Sequence, residues 1–111
     1  MNITDIHCHI YPDPIASKAA ENVGTFYGVK MKSPGSVSEL LRRSKPAQIS
    51  KHVVHSVALR PKNVISINDF IAEQAAAHPE FVGFATMHHD FVEKEAEIAR
   101  AIALGLKGFK L

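Results

Sequence analysis

The sequence holds one cysteine, Cys8. A lone thiol excludes an intramolecular disulfide and suits a reducing compartment. No apolar run reaches the roughly 20 residues that a bilayer-spanning helix needs. The opening Met-Asn-Ile-Thr-Asp lacks a basic segment followed by an apolar one, so no secretory leader is expected. The expected setting is the cytoplasm, with no membrane partner. Strong charge of one sign is missing too: the net charge is +2. Arg42–Arg43 is the only basic doublet, and no basic stripe carries interleaved aromatics. Nucleic acid is therefore not an expected partner. Internal repeats and low-complexity segments are also lacking.

What is present suits one soluble domain or part of a larger one: 111 residues, 46% apolar and 22% charged. Seven histidines are the unusual feature.

Four short apolar runs predict strands: Ile3 to Ile10, Val53 to Leu59, Phe81 to Met87 and Leu106 to Leu111. Helix signals lie between them. Asp13-Pro14 predicts a start, with the helix stopping near Gly24. Ser36 to Glu39 is a capping box for a helix ending before Pro46. Ser66-Ile67-Asn68-Asp69 predicts another start, and His78-Pro79 an end. Asp90 to Glu93 predicts the last helix, with Gly105 just past its end. The expected order is β-α-α-β-α-β-α-β. Crossovers of this length predict right-handed βαβ units and a parallel sheet. Strands this apolar want helices on both faces or closure into a barrel. Four β/α units are half of a (β/α)8 barrel, and a small open sheet of the flavodoxin-like kind is the structural alternative. Residues 24–36, rich in glycine and proline, are expected to form a mobile loop.

The chemical signal sits on the first strand. Residues i and i+2 of a strand point to one side, so His7 and His9 are expected to be co-facial, with Asp5 one step below. They stand at the C-terminal end, where parallel α/β folds build active sites. Two imidazoles there can converge on one divalent metal ion. Cys8 is expected to face away as a small buried hydrophobe. A bare His-x-His also arises by chance, and its position on the first strand of a βα series is what lifts it.

The stretch Asp5-Ile6-His7-Cys8-His9-Ile10 resembles the opening Asp-x-His-x-His strand of the amidohydrolase superfamily. Gly105-Leu106-Lys107-Gly108-Phe109-Lys110-Leu111 is similar to the fourth strand of its amidohydrolase-related branch, which includes decarboxylases of the aminocarboxymuconate-semialdehyde type. His55 to Val57 and Ser66 to Ile71 resemble the second strand and second helix of metal-dependent hydrolases of that branch. The resemblance implies a TIM barrel of which residues 1–111 are the N-terminal half, with a divalent metal, commonly zinc, on His7 and His9. It implies further ligands and a general base beyond Leu111. Leu111 follows a strand with neither cap nor polar tail, so continuation past it is expected. Two histidines fall short of the three protein ligands usual for catalytic zinc.

His88 follows the third strand and is expected either to touch a polar substrate or to be an ordinary loop residue, with His89 exposed and Asp90 an N-cap. His52 and His55 are placed near the start of the second strand, away from the catalytic end, as structural residues. Lys110 is read as a strand-end lysine, although some amidohydrolases use a carboxylated lysine at that place. Arg60 is read as a solvated loop arginine, with binding of a substrate carboxylate as the alternative, and Tyr11 as a residue packing near the motif.

Three functions follow as expectations. The first is a metal-dependent hydrolase of a small amide, ester or lactone, or a related non-oxidative decarboxylase. The second is a TatD- or PHP-like phosphoesterase or nuclease. Those TatD-type chains carry a glutamate where this one reads Gly-Leu-Lys-Gly-Phe-Lys. The third is a non-catalytic half-barrel whose open strand edges self-associate into a homo-oligomer.

Overall fold

A computed structural model describes residues 2–111. In chain order the elements are β1 (Ile3–His9), α1 (Asp13–Tyr27), α2 (Val37–Ser44), β2 (Ile49–His55), α3 (Val64–Ala77), β3 (Phe81–Gly83), β4 (Ala85–Thr86), α4 (Lys94–Ala103) and β5 (Phe109–Lys110). A 3₁₀ turn at Pro61–Asn63 leads into α3.

Every ladder is parallel. β1 pairs with β2, β2 with β3, and β4 with β5. The expected third strand is one run that serves two neighbours in turn. The Phe84 amide donates to Val54 O on one side, and the Ala85 amide to Gly108 O on the other. Strands therefore follow one another in chain order across the sheet. An open doubly wound sheet reverses its order at a switch point. Among the described residues no such reversal occurs, which is the pattern of a barrel segment and excludes the flavodoxin-like alternative.

The core lies between the sheet and α3–α4. Cys8, Ile10, Val54, Ile71, Phe81, Ala85, Ala101 and Leu106 are buried there, and Val37, Leu40 and Leu41 of α2 pack against it. Gly83 permits the close approach of α3: a Cβ there would stand 2.7 Å from Leu106 and 3.1 Å from Ile71.

Several boundaries differ from expectation. α1 continues past Gly24 to Tyr27 and stops at Gly28, whose φ of 67° is the left-handed conformation that ends helices. Ser36 caps α2 as expected, accepting the Glu39 amide at 3.3 Å. α3 begins at Val64 rather than Ser66, because Pro61 opens a 3₁₀ turn that feeds it. α4 begins at Lys94, not Asp90. The Asp90 and Phe91 amides are taken by Nδ1 and O of His88, which closes a turn ahead of the helix. β2 lies earlier than expected, at Ile49–His55, and this shift bears directly on the chemistry.

A candidate metal centre at the strand ends

β1 is irregular in its middle. Asp5 pairs with His52 and Cys8 with Val54, so three steps along β1 match two along β2. Such a bulge changes which side chains share a face. Asp5 therefore does not lie below His7 and His9. One donor atom each of Asp5, Cys8 and His52 lie within 4.8 Å of one another in a separate cluster. Beyond the bulge, His7 and His9 are co-facial as expected. Their Nε2 atoms stand 3.1 Å apart.

The structure adds a residue to this pair. β2 ends at His55, which stands opposite His9 in the ladder. The His55 ring is 4.8 Å from His7 and 4.5 Å from His9 between centroids, edge-on to both. One nitrogen from each of the three imidazoles falls within a 4.8 Å cluster. This corrects the placement of His55 near the start of the second strand. A β2 read as Val53 to Leu59 puts His55 early, whereas the actual strand ends there. The opening Ile49-Ser50-Lys51-His52 is too polar to look like a buried strand. Ser50 and Lys51 are both exposed, so no local alternation marks where β2 begins.

Burial shapes the electrostatics. His55 is 2% exposed. That burial, then the neighbouring His9, His7 and Lys110, push its pKa down to about 4. His9 is lowered by the same kind of burial, with His7 and Lys110 adding to it. Lys110, on β5 opposite Thr86, thus lies close enough for its charge to reach the cluster. The Tyr11 hydroxyl sits 3.4 Å from Nδ1 of His9, and its own pKa is raised by burial. The Ile10 amide donates to His55 O, and the Ser56 hydroxyl donates to Ile10 O, which ties the two strand ends together.

These residues fit a divalent metal. Two nitrogen ligands of one tetrahedral zinc stand about 3.3 Å apart, close to the 3.1 Å between His7 and His9. Nδ1 of His55 is buried without a hydrogen-bond partner, which costs free energy unless something satisfies it. Neutral imidazole is the ligating form. The site looks open on one side: His7 is exposed, His9 half-buried and His55 buried.

The remaining candidates are placed elsewhere. Cys8 is buried as expected. Burial first, then the Asp5 hydrogen bond and charge, push its thiol up to about 12, so it is a thiol and not a nucleophile. His52, 1% exposed, lies beside Cys8 and edge-on to Phe81. His88 stacks on His89 at 4.3 Å and groups with Asp90, apart from the histidine cluster.

A scan against known protein families finds no match, and no curated protein matches by sequence. Solved structures do match by shape. One is 2,6-dihydroxybenzoate decarboxylase complexed with 2,6-dihydroxybenzoate, with TM-score 0.62 and 18% identity over 97% of this chain. Another is a probable 2-pyrone-4,6-dicarboxylic acid hydrolase from Acinetobacter baumannii with citric acid bound, with TM-score 0.56 and 18% identity over 100% of this chain. The fold is a partial TIM barrel. The chain spans 38% of the length of each of these barrels. At this identity the likeness is one of fold, and it agrees with the barrel expected from the position of the His-x-His strand. No helix among the described residues is long and apolar enough to cross a membrane.

Proposed function

We propose that this chain is the N-terminal half of one barrel domain of a metal-dependent hydrolase, with His7, His9 and His55 holding a divalent metal, zinc by preference. The observation that carries this reading is the convergence of three imidazoles at the C-terminal end of two adjacent parallel strands, one with a buried, unpartnered nitrogen. Three nitrogen ligands and a free position are the make-up of catalytic zinc. A metal held there supplies Lewis acidity and makes water a better nucleophile near neutral pH.

The protein's own groups have distinct tasks. Burial keeps His55 uncharged at neutral pH and ready to ligate. Tyr11 steadies the His9 ring from its far nitrogen. Ile10 and Val54, both fully buried, pack beneath the strand ends and keep water from that side. The general base belongs to the barrel beyond Leu111. The substrate is a small molecule with an amide, ester or lactone bond. Decarboxylation of a small carboxylic acid at the same centre is the second reading, favoured by the decarboxylase neighbour.

The test is metal content of the purified full-length protein, by elemental analysis, for the native sequence and for the double substitution His7→Ala with His9→Ala. The expected result is about one metal per chain lost in the double variant. Equal metal in both proteins would overturn the assignment.

A further inference from the structure

A cavity of about 700 Å³ opens beside His9. This is within the size range of pockets for small-molecule ligands, about 300–1,000 Å³. α1 forms one wall. Its buried residues are all small, Ala16, Ala20 and Gly24. The adjoining stripe Ile15, Ala19, Val23 and Phe26 recurs every three or four residues and lines the cavity. The opposite wall comes from the segment after β2 and from α3, with Val57, Leu59, Ile67 and Phe70. His9, Tyr11 and Ser56 contribute polar groups at the end nearest the candidate metal, and the uncharged Asn22, Asn63 and Ser66 also line the cavity. Among the described residues, no aspartate, glutamate, lysine or arginine lines it.

Phe26 and Leu59 are each 81% exposed, and Tyr27 is 71% exposed. The cavity shares His9 with the histidine cluster. The cavity is therefore adjacent to any reacting group held at that cluster.

We infer that the cavity is the substrate subsite for an uncharged, apolar aryl or branched alkyl body, with the reacting group held at the His9 end. The orientation of the ligand rests on the metal-centre reading above; the apolar character of the subsite does not. A distal carboxylate is disfavoured. It would be desolvated in a mainly apolar cavity that offers it neutral hydrogen-bonding groups such as Asn22, Asn63 and Ser66 but no cation to pair with. This sets the site apart from a pocket for a dicarboxylic acid.

The test measures binding to the full-length protein by calorimetry, with two probes on the same ring system. 2-Naphthamide is uncharged, and 6-carbamoyl-2-naphthoate carries a distal charge. The same titrations are run on the double substitution Phe26→Ser with Leu59→Ser. Both side chains are exposed, so the variant keeps its fold, checked by its melting temperature. Metal content is measured on every sample. The expected result is that 2-naphthamide binds at least about tenfold more tightly than the carboxylate, and that the double variant loses at least about tenfold of this affinity. Equal affinities, no binding of 2-naphthamide, or an unaffected variant would each overturn the inference. Binding as expected on a protein without metal would leave the apolar subsite standing and remove the metal centre.

Discussion

Neighbouring residues of β1 have opposite chemistry because one bulge and the alternation of the strand turn them to different faces. His7 and His9 meet at their Nε2 atoms, while Cys8 between them is buried against the core. The thiol, pushed up to about 12, is almost wholly protonated at neutral pH. Alkylation by iodoacetamide at pH 8 is therefore expected to be at least about 100-fold slower in the folded protein than in denaturant. Rates followed by mass spectrometry check this, and comparable rates would contradict it. The third histidine makes a sharper demand. His55→Gln is expected to weaken zinc binding by more than the roughly 10–100-fold of losing an outer partner. Tyr11→Phe is expected to fall within that range, since it removes only the group at Nδ1 of His9. Competition titration against a chelator separates the two.

Among elements, α3 and α4 are joined to the third barrel strand by one buried amide. Asn68, fully buried, accepts the Thr86 amide at 2.8 Å and donates to Thr86 O at 3.2 Å and to Glu97 Oε1 at 2.8 Å. Glu97 is itself bound by Arg100 in a bidentate pair. Asn68→Ala strands these groups in the interior, and a loss of about 3 kcal/mol in unfolding free energy is expected by denaturant titration. Arg100 first, with Asn68 adding to it, holds the Glu97 carboxyl below its ordinary value of 4.5 against the opposing effect of burial. A carboxyl with a depressed folded pKa stabilises the fold above its unfolded pKa. That contribution is lost as pH falls through the folded value. The stability advantage of the native sequence over Glu97→Gln is therefore expected to be full above about pH 5 and to shrink in more acid solution. An advantage independent of pH would contradict this.

At the scale of the whole molecule, parallel strands in chain order leave β1 and β5 at the two edges of the described sheet. Unpaired edges recruit other strands. Residues 1–111 expressed alone are expected to self-associate, through those edges and through exposed apolar residues such as Ile6. Sedimentation across the micromolar range is the check, and a single monomeric species would contradict it. In the longer protein the same edges are proposed to continue the barrel.

The sequence alone carried what depends on local pattern. Apolar runs, capping residues and chain punctuation sufficed for the element order, the parallel βαβ logic and the strand that carries His7 and His9. Ser36 and Gly105 act where their chemistry predicts. The tertiary structure decided what depends on pairing between strands distant in sequence. The β1 bulge exists only relative to β2, so Asp5 could not be assigned to its cluster from β1 alone. His55 was misplaced for the same reason: its closeness to His9 is set by interstrand register, 46 residues away along the chain, and a polar opening hid where β2 begins. Asn68 looked like part of a helix start, and only the packing of α3 against β4 and α4 turned it inward. Local propensity acts through a few neighbouring residues, whereas register, burial and convergence on a common centre are fixed by the closure of the sheet.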